Sequence, residues 1–331
     1  MLISRRLLLA AAFCLTGCGG DGSGAGGASS NAAAFPERPI RVIVPFGPGG
    51  LADVTLRLAG DSLSQRLGQP VVVENRPGAG GVAATNTMLN ASADGYTLIL
   101  LTNGTAIAES QFELNYDIRE DLRPVSALAW FDLILLVSPK SGVTSLEQLL
   151  EKGRQNPQGL RIATINPGST QNLSAELFKS EAGIPATIIS YRTSPDVLGA
   201  LMRNEVDLAI DAYTALKGSI DGGQAVPLAV TGSKRNDVLP NVPTVAESGL
   251  PNYIVEGWNA IYAQAGVPDE VVAKLNQAIV DVAAMPQVQQ RFRELGVEAR
   301  GGTAEEIQDR LLADIEKWRS VMVDAGLVQV Q

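Results

Sequence analysis

What most constrains this chain is the alternation of two kinds of segment along it. Runs of β-branched and aliphatic residues at 40–46, 71–73, 97–102 and 133–137 read as short strands. Between the first two, residues 53–67 carry Val54, Leu56, Leu58, Leu63 and Leu67 at broadly helical spacing, with Gly68 as a stop signal. Strands that are apolar throughout and separated by helices point to a parallel sheet covered on both faces. The second half repeats the style, with strand-like runs at 160–165, 187–190, 206–210 and 228–231 and a helix at 174–182. The tail is helical over 269–284, 286–295 and 304–325, and Thr303 with Glu306 three residues on forms a capping box. The fold class is therefore α/β. Two linker candidates, residues 138–142 and the stretch around Glu256, Gly257 and Trp258, divide the body into two lobes. On this reading residues 35–138 and 257–331 form lobe 1 and residues 139–256 form lobe 2. The cleft between two such lobes is a common ligand site.

The first residues set the destination. Arg5 and Arg6 precede an uninterrupted apolar run at 7–15, which suits a signal peptide and is too short to span a bilayer. Leu15, Thr16, Gly17 and Cys18 then resemble a lipobox. Residues 1–17 read as a signal peptide and Cys18 as the lipidated residue, which places the protein in the periplasm with a lipid anchor as its only membrane contact. Ser4, Arg5, Arg6, Leu7 and Leu8 also faintly resemble a twin-arginine signal, so that route and general secretion both stay open. Residues 19–34 are Gly, Ala, Ser and Asn with a single Asp, too polar and small to fold, and read as a tether with a typical span of about 20 Å.

The chain has 26 Lys and Arg against 35 Asp and Glu. Cleavage after Gly17 removes Arg5 and Arg6, leaving 24 basic and 35 acidic residues and a net charge of −11. That balance argues against nucleic acid and anionic lipid headgroups as partners. The sequence has no histidine, which removes the Ser-His-Asp and Cys-His triads and the histidine-based zinc and iron sites. Cys14 leaves with the signal and Cys18 carries lipid, so no thiol nucleophile remains. No phosphate loop is present, and Gly78, Ala79 and Gly80 follow Pro77 in a context unsuited to a dinucleotide. Neighbouring acids such as Glu305 and Glu306, or Glu120 and Asp121, point to different sides of a helix and read as solvated charges. The sequence thus points away from an enzyme and calls for no cofactor or metal.

Two loops carry chemistry. Phe46, Gly47, Pro48, Gly49, Gly50, Leu51, Ala52 and Asp53 join the first strand to the first helix. Glycines allow close backbone approach, and a helix N-terminus offers free N–H groups to an anion. A plain turn with Asp53 as a cap is the alternative. Asn166, Pro167, Gly168, Ser169, Thr170 and Gln171 repeat the device in lobe 2, with Ser169 or Thr170 as a possible cap.

The sequence here becomes specific. Residues 38–46 (Arg-Pro-Ile-Arg-Val-Ile-Val-Pro-Phe) with Gly49, Gly50 and Asp53 resemble the opening of the Bug receptors, the substrate-binding proteins of tripartite tricarboxylate transporters. Residues 67–81 (Leu-Gly-Gln-Pro-Val-Val-Val-Glu-Asn-Arg-Pro-Gly-Ala-Gly-Gly), 94–98 and 239–251 are similar to further signatures of that family, in order to the end of the chain. The resemblance implies a two-lobed periplasmic-binding-protein fold, type II-like, each lobe a mostly parallel sheet flanked by helices. It implies a small carboxylate held by Phe46, Gly47, Gly49, Gly50 and Asp53 from one loop and Asn166, Gly168, Ser169, Thr170 and Gln171 from the other. In the family, water molecules sit between the first loop and the ligand. Asn103, Gly104 and Thr105 would line the cleft from lobe 1, and Tyr191, Arg192, Ser194 and Asp211 from lobe 2. Arg192 is the only cationic candidate; Asp211 would accept a ligand donor or cap the next helix, and Trp258 would pack at the hinge.

The implied partners are the carboxylate and the membrane permease subunits, with the receptor itself a monomer. A lipoprotein that signals its ligand state instead of feeding uptake is the alternative. There are departures from the family: Gly47-Pro48 stands where Pro-Ala is usual, Asn172 where histidine is common, and Thr193 where glycine is common. A threonine at 193 would shrink the pocket. The lipid anchor is a departure too, since most relatives are soluble.

Overall fold

β1 (Ile40–Val44) is the apolar run that follows the cis Phe35–Pro36 bond. It pairs in parallel with β2 (Val71–Asn75) on one side and β3 (Thr97–Thr102) on the other. In the computed structural model residues 34–78, 81–108 and 112–324 are described; the signal peptide, Cys18 and nearly all of the tether read from residues 1–34 lie outside them. The helix after β1, α1 (Leu51–Leu67), buries Leu56, Ala59 and Leu63 against this sheet and stops at Gly68, whose φ of 72° only glycine adopts readily. α2 (Val82–Leu89) makes the corresponding crossover between β2 and β3.

β4 (Leu122–Asp132) runs the length of this first sheet and β5 (Ile134–Val137) begins the second, so the chain changes sheets at Leu133. The sequence reading placed the crossing within residues 138–142. The strand at 134–137 lies in the second sheet instead, paired with β8 (Leu208–Asp211) and β9 (Val226–Val230). After α3 (Leu146–Gln155), the second sheet is built from β6 (Leu160–Ile165), α4 (Thr170–Ala182), β7 (Ala186–Tyr191), α5 (Ser194–Met202), β8, α6 (Tyr213–Asp221) and β9. The return is β10 (Glu256–Gln264), which rejoins the first sheet between β3 and β4. α7 (Asp269–Ala283), α8 (Pro286–Arg293), β11 (Val297–Ala299) and α9 (Ala304–Asp324) complete that lobe.

The strand orders are β11-β4-β10-β3-β1-β2 and β7-β6-β8-β5-β9. Pairing is parallel among β1, β2 and β3 and among β6, β7 and β8. It is antiparallel wherever β4, β5, β9, β10 or β11 takes part. Both sheets are therefore mixed, where mostly parallel ones were expected. An apolar run reports burial on both faces, not direction, and the strands that carry the chain between lobes run against their neighbours.

The two crossings are fastened to each other by Thr231. Its hydroxyl accepts the Leu133 N–H at 2.8 Å and donates to the Val255 carbonyl at 2.7 Å, and its N–H donates to the Leu133 carbonyl at 2.9 Å. The Thr303–Glu306 capping box forms as expected: Glu306 accepts the Thr303 N–H at 2.8 Å and Thr303 Oγ1 accepts the Glu306 N–H at 3.1 Å. A second one, Thr244 with Glu247, lies inside the 239–251 signature, at 2.8 and 3.0 Å. Among the described residues no helix is long and apolar enough to cross a membrane.

Candidate functional site

The loop between β1 and α1 ends at Gly50, the N-cap, which has no side chain to cap the helix. The N–H groups of Leu51 and Ala52 in the first turn therefore have no helical partner. Gly49 holds a φ of 81°, a conformation that favours glycine. Asp53 is buried and braces the loop from behind. Its Oδ2 accepts the Gly49 N–H at 3.0 Å, and its Oδ1 accepts Arg57 Nε and Asn75 Nδ2, each at 2.9 Å. Asn75 Nδ2 also donates to the Phe46 carbonyl at 3.1 Å. Asn75, from the 67–81 signature, thus holds the loop in place.

The loop between β6 and α4 is built the other way. Ser169 is the N-cap, and its Oγ accepts the Asn172 N–H at 3.1 Å. Asn172 Oδ1 accepts the Gly168 N–H at 3.3 Å, and the Ser169 N–H donates to the Asn166 carbonyl at 3.1 Å. The donors left free at this end are the N–H groups of Thr170 and Gln171. A third helix, α5, begins at Ser194 with Thr193 as its cap, the Thr193 hydroxyl accepting the Asp196 N–H at 3.3 Å.

These three N-termini converge on one cavity. Its wall includes Phe46, Gly47, Gly50, Thr170, Gln171, Arg192 and Ser194 of the residues singled out in the sequence. Thr193, expected to shrink the pocket, lines it as well, and Leu51, Ala52, Thr102, Phe131, Ile165 and Asn259 complete it. The two lobes are in contact around it, and it encloses about 20 Å³, room for one or two ordered waters. Thr170 Oγ1 hydrogen-bonds Asn103 Oδ1 across the cleft. A Cβ on Gly104 would fall 1.7 Å from the Gly168 carbonyl oxygen, so the lobes meet there backbone to backbone. No carboxylate lines the cavity. In a chain of net charge −9, the helix N-termini and Arg192 set partial and full positive charge at a wall that carries no acid.

The other expected residues stand behind the wall. Gly49, Asp53, Asn103, Gly104, Thr105, Asn166, Gly168, Ser169, Tyr191 and Asp211 are outside the cavity lining. Asp211 is fully buried at the end of β8, where its Oδ1 accepts Gln171 Nε2 at 2.9 Å and the Ala212 N–H at 2.8 Å. Burial pushes its pKa up; the Gln171 side chain, the nearby Ser194 hydroxyl and the Ala212 N–H oppose the shift. Ser194 closes no hydrogen bond with it, and Ser194 Oγ and Asp211 Oδ2 both stay unpaired. Asn103 Nδ2, Asn166 Nδ2 and Asn259 Oδ1 are also buried without a partner. Trp258 is away from the cavity, donating to Asp314 Oδ2 at 2.7 Å. Among the described residues no group of three or more His, Cys, Asp and Glu could hold a metal.

Leu51 and Ala52 were findable, being the first turn of the helix whose N-terminus the glycines announce. Asn259 had one signal, a lone amide inside the apolar strand β10. Phe131, Thr102 and Ile165 reach the cavity only because the sheets place strand ends there.

Residues 55–327 match the family described as tripartite tricarboxylate transporter family receptor. Among solved structures, "R. palustris Rpa4515 with adipate" is 34% identical with a TM-score of 0.85, over 89% of this chain and 100% of that one. The periplasmic binding protein BugD is 28% identical with a TM-score of 0.85, over 89% and 100%. MatC from Rhodopseudomonas palustris, with bound malate, is 29% identical with a TM-score of 0.81, over 87% and 99%. With these likenesses running through both lobes and the cavity between them, the chain belongs to the tripartite tricarboxylate transporter family of receptors, the Bug-type periplasmic solute-binding proteins.

Proposed function

We propose that this receptor captures a small mono- or dicarboxylate by closing its lobes and delivers it to the membrane permease of a tripartite tricarboxylate-type transporter. It acts from the periplasm, held to the membrane by lipid on Cys18. The observation that carries the ligand class is the convergence of three helix N-termini, with Arg192, on a cavity free of acidic side chains. Free N–H groups and helix dipoles solvate an anion, and their effect grows when closure excludes water. Relatives of this architecture hold adipate and malate, both carboxylates. Residues 46–53 and 166–171 contribute the two main anion contacts, and Arg192 at the rim meets a distal charge.

Thermal unfolding of the purified protein against C4 and C6 dicarboxylates, short monocarboxylates and aromatic acids tests the reading. A ligand present at about 100 times its Kd adds about 2.7 kcal/mol of stability and raises the midpoint by degrees. A folded, ligand-free sample that no carboxylate stabilises overturns the proposal. Mass spectrometry of the N-terminal peptide from cell membranes tests the anchor, with an acylated Cys18 as the expected product.

A further inference from the structure

Helix N-termini offer donors to the cavity, but in its wall Asn259 holds a buried acceptor without a partner and Gln171 has its amide nitrogen committed to Asp211. Asn259, fully buried on β10, donates through Nδ2 to Thr55 Oγ1 at 3.2 Å. Thr55 has one hydroxyl proton, committed to the Leu51 carbonyl at 2.8 Å, so toward Asn259 it can only accept. That fixes which way the amide faces, a choice the heavy atoms alone leave open. Asn259 lines the cavity and Thr55 does not, and Asn259 Oδ1 is buried with no partner.

Gln171 is fixed in the same way. Asp211 Oδ1 already accepts the Ala212 N–H at 2.8 Å, so it presents an acceptor to Gln171, whose Nε2 lies 2.9 Å away. Gln171 lines the cavity and Asp211 does not, so with Nε2 committed to Asp211 the amide atom left for a ligand is Oε1. The two amides come from opposite lobes, one from the return strand and one from the first turn of α4. An ionised carboxylate has only acceptors and cannot satisfy either oxygen. A buried acceptor left unmet opposes binding, so Asn259 Oδ1 calls for a donor, and Gln171 Oε1 can add only a second acceptor beside it.

We infer that the ligand carries a hydroxyl or amino group beside its carboxylate, and that Asn259 Oδ1 and Gln171 Oε1 read this donor while the helix N-termini take the anion. The inference rests on the carboxylate reading above. The binding pocket thus has two polarities, and a plain acid fills only one.

Calorimetric titration of the purified protein with matched triplets tests it. The probes are succinate, malate and aspartate, then adipate, 2-hydroxyadipate and 2-aminoadipate. In the series whose length fits, a substituted acid binds about tenfold or more tighter than the plain one, because buried groups left unpaired discriminate strongly. The hydroxy and amino arms show which donor is read. Asn259→Ala and Gln171→Ala each bring the substituted-to-plain ratio toward one, whatever happens to absolute affinity. Plain acids binding as tightly as their substituted partners in the unaltered protein overturn the inference and leave the carboxylate reading standing. A ratio that both variants leave unchanged overturns the residue assignment. A protein that binds no member of either series overturns the inference, and the carboxylate reading falls with it when no acid of the wider panel stabilises the fold.

Discussion

The loops at residues 46–53 and 166–171 both bring a helix N-terminus to the cavity, yet they are held in opposite ways. The first is braced by side chains outside itself: Asn75 holds the Phe46 carbonyl, and Asp53, paired with Arg57, holds the Gly49 N–H. Its cap, Gly50, offers no side chain to the N–H groups of the helix. The second is braced from within, through Ser169, Asn172 and Asn166. Behind each stands a buried aspartate. Asp53 has a guanidinium beside it, whereas Asp211 has only neutral donors and its pKa is raised by burial. The contacts across the cleft differ as well. The second loop touches lobe 1 through Gly168 and Thr170, and the first touches lobe 2 through Gly47 against Thr193. One loop is a platform with its donors kept free. The other makes the close backbone contact between the lobes.

Removing that contact has the largest effect. Gly104→Ala places a methyl where the Gly168 carbonyl must come, and backbone cannot yield as a side chain tip can. Affinity falls by about 100-fold or more, which is about 2.7 kcal/mol. The unfolding midpoint without ligand stays close to that of the unaltered protein, because the clash exists only when the lobes meet. Tight binding by this variant would show that ligand is held in a more open form.

The two aspartates come next. Asp53→Asn removes the Arg57 pair and turns a donor toward other donors, at a cost of about 2 kcal/mol in denaturant unfolding. Asp211→Asn acts instead on the pH profile. A carboxyl whose folded pKa is raised stabilises the fold below its unfolded value, near 3.9, and loses that contribution as pH rises through the higher folded value. The stability difference between the unaltered protein and Asp211→Asn therefore shrinks or reverses as pH rises through that window. A parallel pair of profiles would mean that Asp211 titrates alike in both states.

Third is the pair of departures from the family pattern. A Cβ on Gly47 would lie 2.6 Å from Thr193 Cγ2, so the threonine methyl occupies the space that a side chain at 47 would need. The two departures, glycine at 47 and threonine at 193, fit together as an exchange of bulk. Gly47→Ala weakens binding about tenfold, or about 1.4 kcal/mol, and adding Thr193→Gly restores most of it. Additive losses in the double variant would separate the two positions.

The sequence exposed the loops because glycine, proline and hydroxyl residues between a strand and a helix have few other uses. It exposed α1 and the Thr303 capping box because both depend on residues close in the chain. It misplaced the crossing by several residues, since residues 134–137 look the same whichever sheet receives them. It overestimated parallel pairing for the same reason. Within the site, local spacing could not separate wall from scaffold. Asp53 and Asp211 are the acids nearest the two loops, and both stand outside the lining, holding the Gly49 N–H and the Gln171 amide. Asn259 reaches the wall only through β10, which returns more than 120 residues after β4 enters the same sheet.

The smallest expected effect addresses the difference in capping directly. A Cβ on Gly50 would meet Ser194 Oγ at 3.5 Å, an ordinary contact, so Gly50→Ser fits without rearrangement. The new hydroxyl accepts the N–H of Ala52, the second residue of α1 and one of the two donors free at this helix end. Stability rises by a few tenths of a kcal/mol, the usual difference between serine and glycine caps. Affinity moves the other way, falling about threefold, or about 0.7 kcal/mol, because one donor is diverted from the ligand. Ser169→Gly is the converse: stability drops by a similar few tenths, and the freed Asn172 N–H gains the ligand nothing, since Asn172 is not in the wall. Opposite signs for stability and affinity in Gly50→Ser mean that this helix end is kept uncapped for binding. Unchanged affinity there would place the anion on α4 and α5 alone and reduce the first loop to a lid.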